Sequence, residues 1–500
     1  MPNKAQNILF IVSESVPFAK TGGLADVAGA LPVKLAEAGH HVRVVMPYYA
    51  SIPRERMQAN DPPFSMNLWM GDTEEWCLVH PQKIRKDLHY YFIDFQKYFF
   101  REGLYHNHEM QDYEDNPERF AFLSQAALYL CKTLHIKADI VHVHDWQTSP
   151  ALAYLKTHHW NCPYLGAAAG VLTIHNIGYQ GKYPRRGYGY LGFRDEDFIP
   201  EIFEDYGGIN LLKGGIHFAD IVNTVSPAYA NETLTPEYSH GLDPFLRKKG
   251  DRYIGILNGV DYEEWDPSAD RHIAHKYGPR NLNGKNTCKA DLQERMGLYR
   301  QEHIPVIGIV SRMAEQKGLH LLADCIEAIV NNMQVQFAIL GSGDPGLEAY
   351  FGSLPEKYPG LIGVRIGYDN ALAHAVEAGS DFFLMPSLYE PCGLNQIYSL
   401  RYGTLPIVRA TGGLDDTVEQ YDESTGEGTG FKFYDATPRA IYDTAGWAVS
   451  SYYDRPEHYR EMQRRAMTRD FSWEKSTVRY EEAYARAKEA KRDYDIRHTL

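Results

Sequence analysis

Five hundred residues exceed what one hydrophobic core usually organises, so two domains are expected. An apolar fraction of 44% with 23% charged residues describes an ordinary globular chain. A net charge of −14 argues against nucleic acid or anionic membrane as the main partner, and leaves an anionic substrate open only where basic side chains converge.

Met1–Gln6 is a short polar lead, and Asn7–Val12 then enters an apolar run directly. It lacks the charged region, apolar core and cleavage site of a leader, and no apolar stretch approaches membrane-span length. The six cysteines (77, 131, 162, 288, 325 and 392) are scattered, without metal or redox spacing, and fit buried packing in a reducing compartment. The expected location is the cytoplasm, or a plastid if a transit peptide has been removed.

In chain order, Ile8–Val12 predicts a strand, Leu24–Ala38 a helix that stops at Gly39, and Val42–Met46 a second strand. Trp76–Val79 and His89–Ile93 read as a hairpin. Phe120–Leu134 predicts a long helix, followed by the strand Ile140–Val143 and then His144-Asp145-Trp146. Gly170–Ile174 is a strand ending at His175-Asn176. Ile221–Thr224 leads to Ser226-Pro227, where Ser226 is placed to cap a helix. This alternation implies a mostly parallel sheet covered on both faces.

Around Ile254–Val260 the pattern changes, and a polar tract runs from Tyr262 to about Gly284. The junction falls here, giving residues 1–255 and 256–471 as the two domains. A second α/β series contains the strands Val306–Val310, Gln336–Leu340, Val364–Ile366, Phe382–Met385 and Leu405–Val408. Ser472 to about Lys488 is amphipathic, so residues 472–500 are expected to pack back on the first domain.

Phe382–Met385 closes at Pro386, while Leu394, Ile397, Leu400 and Arg401 fall at helical spacing after Gly393. Glu390 therefore lies beyond the carboxyl end of a strand and ahead of a helix N-terminus, where an open α/β sheet binds its ligand. The N–H groups of that helix suit an anion. Glu390 reads either as a carboxylate holding neutral hydroxyls nearby or as a Glu-Pro turn that stops one strand. Arg312 and Lys317, five apart in Ser311–Gly318, follow another strand. They read as two cations for one diphosphate or as two solvated charges. Lys20 stands before Gly22-Gly23 in the same way.

Thr21–Val27 reappears as Thr411–Thr417, each copy following a strand and opening a helix. Paired glycines there permit φ > 0 and close approach of a ligand. Neither a G-x-G-x-x-G nor a G-x-x-x-x-G-K-[ST] motif occurs, which weighs against dinucleotide and P-loop chemistry. His142, His144, His175 and Asp145 invite a metal reading, but no carboxylate cluster accompanies them. Strand-end histidines satisfied within the protein are the simpler reading, with no metal and no cofactor. Asp145 reads as a contact to a hydroxyl or developing positive charge, or as the N-cap of the segment from Trp146. The 36 tyrosines include Tyr48-Tyr49, Tyr90-Tyr91, Tyr98, Tyr188 and Tyr190, rings that suit either sugar faces or a core.

Taken together, these motifs resemble those of bacterial glycogen synthases and the plant and algal starch synthases, glycosyltransferase family 5. The resemblance spans nearly the whole chain. It is carried by Lys20–Val27, His142–Trp146, His175–Gly181, Asn258–Asp261, Ser311-Arg312 with Gln316–Gly318, Glu390–Leu394 and Thr411–Leu414. It implies the GT-B fold: two Rossmann-like, doubly wound parallel-sheet domains facing across a cleft, with the C-terminal helix returning to the first. It implies a retaining glucosyltransferase that moves glucose from ADP-glucose to the non-reducing 4-hydroxyl of an α-1,4-glucan such as glycogen, starch or a maltooligosaccharide.

On this resemblance Arg312 and Lys317 would hold the diphosphate, with Lys20, Gly22 and Gly23 reaching it from the first domain. Glu390 would hold hydroxyls of the donor glucose, with Gly393 and Leu394 near phosphate. Asn258, Gly367, Tyr368, Cys392 and Asn395 would complete the donor site, Asn395 standing where bacterial relatives often carry Thr. His175 would line the donor sugar, and Asp145 would touch the acceptor or transition state. The alternatives are a retaining GT-B enzyme using UDP-glucose or a small acceptor, and a catalytically idle glucan-binding or regulatory relative. The second would be expected to lack Lys20, Arg312, Lys317 or Glu390, all of which are present. A phosphorylase-like enzyme would need a pyridoxal-binding lysine context that the sequence does not offer.

Overall fold

The computed structural model describes residues 5–53, 57 and 61–499; residues 1–4 of the polar lead, 54–56, 58–60 and the final residue lie outside the described residues. The chain divides into two units. One comprises Met1–Val225, Ala230–Ile256 and Trp473–Leu500, the other Ser226–Tyr229 and Leu257–Ser472.

The first unit is built on a nine-stranded sheet. Its strands are β1 (Asn7–Ile11), β2 (His41–Pro47), β3 (Phe64–Met70), β4 (Thr73–Arg85), β5 (Leu88–Asp94), β6 (Ile140–His144) and β7 (Ala169–Ile174). A small antiparallel sheet holds β8 (Lys182–Pro184), β9 (Glu204–Asp205) and β10 (Gly208–Asn210), and β11 (Ile221–Thr224) and β12 (Tyr253–Gly255) complete the large one. Its order is β12-β11-β7-β6-β1-β2-β5-β4-β3, parallel from β12 to β5. The predicted hairpin is present, with β4 antiparallel to β5 and to β3. β6 and β7 are buried along their whole length, as unbroken apolar runs between helical layers must be. β1 adds β2 and β5 on one side, while β6 adds β7, β11 and β12 on the other. The direction of winding reverses between β1 and β6, and such a reversal opens a crevice at the strands' carboxyl ends.

The terminal helix Trp473–Thr499 belongs to this unit, as expected for a segment returning to the first domain. It buries Tyr480 and Tyr484, and the Tyr484 hydroxyl lies 2.9 Å from Nδ1 of His142 on β6. The helix thereby fixes the strand that delivers Asp145.

The second unit carries β13 (Val306–Met313), β14 (Gln336–Gly343), β15 (Ile362–Ile366), β16 (Phe382–Met385), β17 (Leu405–Arg409) and β18 (Phe431–Phe433). All six are parallel in the order β15-β14-β13-β16-β17-β18, which puts the second reversal between β13 and β16. Ile307, Ile309, Phe337, Ile339, Phe382, Leu384 and Ile407 form the centre of its core. β13 runs three residues past its predicted end, because Ser311, Arg312 and Met313 pair with Gly341, Ser342 and Gly343. No helix among the described residues is long and apolar enough to cross a membrane.

Candidate active site

In the first unit, the loops after β1 and β6 meet at the reversal point. Ser13-Glu14-Ser15 follows β1 and is buried. The Glu14 carboxylate accepts hydrogen bonds from the Thr21 amide, from the Thr21 hydroxyl at 3.0 Å and from the Gly22 amide. Burial raises its pKa, and those donors partly offset the rise. One buried carboxylate thus shapes the loop ahead of the helix Gly23–Glu37. Lys20 is half exposed, with Nζ 2.7 Å from Oδ1 of Asp26 in the first turn of that helix.

Gly22 and Gly23 are not glycine for the sake of a left-handed backbone. Gly22 is extended at φ −154°, and a Cβ on either residue would meet nothing within 4 Å. What they supply is open space above a helix N-terminus, where the partial charge favours an anion.

Asp145 sits directly after β6 in a left-handed conformation, φ 54°, which Asp tolerates better than most residues. That backbone turns its carboxylate toward the β7 loop. Oδ1 accepts the His175 amide at 2.6 Å, and the Asn176 amide also donates to the carboxylate. Asp145 therefore does not cap the segment from Trp146; it holds the His-Asn loop. Burial pushes its carboxyl up to about 7, against the pull of the two amides.

His142 engages Tyr484 and, at 2.7 Å, the Thr173 hydroxyl, so both ring nitrogens serve the core. His144 turns instead to His175, Nδ1 to Nε2 at 3.0 Å. Burial pushes His142 and His175 down to about 3 and His144 well below its usual range, so all three rings are neutral near pH 7. No group of three or more His, Cys, Asp or Glu among the described residues is arranged to hold a metal ion.

In the second unit, the loops after β13 and β16 are laced together. The Leu388 amide donates to the Gln316 carbonyl at 2.8 Å, and the Gln316 amide group to the Tyr389 carbonyl at 3.2 Å. Gly318 makes this possible. It is left-handed at φ 67°, and a Cβ there would lie 1.9 Å from the Pro386 carbonyl oxygen. The result brings Lys317 Nζ to 2.6 Å from Oε2 of Glu390, which also accepts from the Ser387 hydroxyl at 3.0 Å. The Glu390 side chain is 6% exposed and that of Lys317 19%. Arg312 lies on the strand itself, exposed, with its guanidinium unpaired among the described residues.

Gly393 is left-handed at φ 70° and leads into the helix Asn395–Arg401, whose Asn395 amide group ties back to the Val310 carbonyl at 2.9 Å. Cys392 is buried against Asn258, and burial pushes its thiol up to about 12. Gly412 and Gly413 differ from their echo in the first unit. A Cβ on Gly412 would lie 2.0 Å from the Glu390 carbonyl oxygen, and one on Gly413 1.9 Å from that of Cys392. Here the room is filled by the protein's own backbone, and the Gly413 amide donates to the Glu390 main-chain carbonyl at 3.0 Å. Gly367 is left-handed at φ 124° with open space above it, and Tyr368 beside it presents an exposed ring.

The sheet in each unit thus gathers the sequence-predicted residues at its reversal point: Lys20, Gly22, Gly23, Asp145 and His175 in the first, Arg312, Lys317 and Glu390–Asn395 in the second. Glu14 and Ser387 belong with them and were given no role in the sequence reading, where Gly318 stood only as the end of a motif. For Glu14 the available signal was a polar triplet directly after an apolar strand. The tyrosine clusters largely resolve into core, with Tyr49, Tyr90, Tyr98 and Tyr188 buried.

Comparison with known proteins agrees in extent. Residues 7–248 match the family described as the starch synthase catalytic domain, and residues 304–448 match glycosyl transferases group 1. A glycogen synthase of Geobacter metallireducens is 46% identical over 97% of this chain and 96% of its own length. One from Moorella thermoacetica is 43% identical over 98% of both chains. Among solved structures, the catalytic domain of starch synthase IV from Arabidopsis thaliana, bound to ADP and acarbose, superposes with a TM-score of 0.86 at 30% identity, covering 97% of this chain and all of that one. The sucrose-phosphate synthase of Thermosynechococcus elongatus shares the fold at a TM-score of 0.59 and 18% identity.

Proposed function

The chain belongs to the glycogen and starch synthase family, and we propose that it works as a retaining glucosyltransferase of that family with the GT-B fold. It moves glucose from ADP-glucose to the non-reducing 4-hydroxyl of an α-1,4-glucan. The observation that carries the site assignment is the buried Lys317–Glu390 pair at the β13/β16 reversal. Lys317 and Glu390 set opposite charges 2.6 Å apart. A nucleotide-sugar brings phosphate oxygens for the lysine and sugar hydroxyls for the carboxylate, so one ligand replaces both halves of the pair.

The barrier to transfer is departure of the diphosphate, which leaves oxocarbenium character on the anomeric carbon. In this reading Lys317 and Arg312 stabilise the leaving charge, and Lys20, ahead of the open Gly22-Gly23 turn, is a further phosphate-binding cation. Preorganised groups of this kind contribute about 3 kcal/mol each to the transition state. The Gly393 and Leu394 amides add donors near phosphate, and the exposed Tyr368 ring and Gly367 suit a flat base. Asn258 and Cys392 back the loop that carries Glu390. His175, held by Asp145, lines the donor glucose, with its main-chain carbonyl toward the anomeric carbon. Six free cysteines suit a reducing compartment, and the cytoplasm is the location we assign.

The test is incorporation of labelled glucose into glycogen from ADP-glucose, with UDP-glucose run alongside. Preferred turnover of ADP-glucose supports the assignment. Preferred turnover of UDP-glucose, or labelling of small sugars only, replaces the donor or acceptor. No turnover of either by folded protein overturns it.

A further inference from the structure

His144 has no place in the chemistry above, yet its surroundings are specific. It is fully buried at the end of β6, with the rings of Phe10 and His142 each 4.3 Å away between centroids. Its Nδ1 is 3.0 Å from His175 Nε2, while its own Nε2 is sealed from solvent and has no hydrogen-bond partner among the described residues. His142 offers it nothing, because both of that ring's nitrogens are engaged elsewhere.

Two neutral imidazoles that share one hydrogen bond have two ways to place the proton. If His175 donated from Nε2, His144 would carry its own proton on Nε2, an N–H locked in an aromatic pocket without an acceptor. If His144 donates from Nδ1, the sealed atom is a lone pair. Buried N–H groups left without a partner are rarer than under-used acceptors, so the second arrangement wins. His175 then accepts at Nε2 and must hold its proton on Nδ1. That nitrogen has no protein partner among the described residues and, on a partly exposed side chain, is not sealed off.

We propose that His144 is a positioning residue that fixes His175 in the Nδ1–H tautomer, so that His175 presents an N–H donor to a hydroxyl of the donor glucose. This rests on the reading that His175 lines the donor sugar. Asp145 completes the device by gripping the same residue at its backbone amide.

The experiment uses full-length protein carrying ¹⁵N-labelled histidine, with the His175 signals identified by their loss in His175→Gln. Long-range proton–nitrogen correlation near pH 7.5 is expected to show His175 protonated at Nδ1 in the unsubstituted protein. His144→Phe keeps the ring volume but removes the donor, and should release His175 to a mixture of tautomers with kcat/KM for ADP-glucose down tenfold or more. His144→Asn, whose amide can still donate from nearly the same place, should restore the Nδ1–H form and most of the rate. A His175 protonated at Nε2 in the unsubstituted protein overturns the proposal, as does a folded His144→Phe with unchanged tautomer and kinetics. The tautomer readout needs no turnover. Absent transfer activity with the Nδ1–H tautomer intact would therefore strike the assigned reaction and leave the His144–His175 relation standing.

Discussion

Replacing Lys317 by Met removes the charge and keeps most of the side-chain volume. In the native loop Glu390 is buried, with two donors, Lys317 at 2.6 Å and Ser387 at 3.0 Å. The substitution leaves a carboxylate with the Ser387 hydroxyl alone. Breaking a buried pair by removing one partner costs about 3 kcal/mol at the low end of the usual range, the end that suits a lysine still one-fifth exposed. For a unit of this size that corresponds to a fall in melting temperature of roughly 6–12 °C. Activity should suffer separately: loss of a preorganised cation on the leaving group lowers kcat/KM for ADP-glucose by at least tenfold, about 1.4 kcal/mol. Adding Glu390→Gln separates the two effects. The double variant should regain much of the stability, because no charge is left stranded, and none of the activity. Thermal melts with initial-rate kinetics on glycogen read both. A Lys317→Met protein that melts and turns over like the unsubstituted one would refute the reasoning on both counts.

The glycine echo gives a pair of contrasting tests. Gly22→Ala meets no atom and should leave stability within about 1 kcal/mol, in either direction, yet lower kcat/KM for the donor at least tenfold; equal kinetics would show that the space above the helix is not used. Gly413→Ala drives a Cβ into the Cys392 carbonyl and should destabilise by more than about 2 kcal/mol in a denaturant titration; an unchanged midpoint would contradict the contact. Asp145 sets a pH dependence. Its folded pKa of about 7 stands above the unfolded value near 4, so the folded state holds the extra proton between those limits and stability falls as pH rises through them. From pH 5 to 7 the loss should be about 2 kcal/mol larger than in Asp145→Asn, which keeps an acceptor for the His175 amide. Parallel curves for the two proteins would remove the burial argument.

Strand runs such as Phe382–Met385 and Ile221–Thr224 were legible to the residue, because buried parallel strands leave unbroken apolar stretches between turn signals. β18 and the short strands of the small sheet were not, since two or three residues carry too little pattern to stand out. Glu390 left two readings open in the sequence, and only the fold brings Lys317 to 2.6 Å from its carboxylate. Arg312 was placed in a loop that turned out to be strand, because its pairing partner lies thirty residues away. The two glycine pairs are near-identical in sequence and opposite in use. Backbone packed above Gly412-Gly413, where no described residue stands within 4 Å of a Cβ on Gly22 or Gly23, distinguishes them. Nor does any local signal announce the left-handed backbone that aims Asp145 at the His175 amide.

Arg312 and Lys317, carried on and just after β13, are proposed to serve one departing diphosphate. Steady-state kcat/KM for ADP-glucose in Arg312→Met, in Lys317→Met and in both together tests this most directly. Each single variant should lose tenfold or more, and the double should lose less than the product of the two. Near-native turnover in either single variant, or losses that simply multiply, would contradict it.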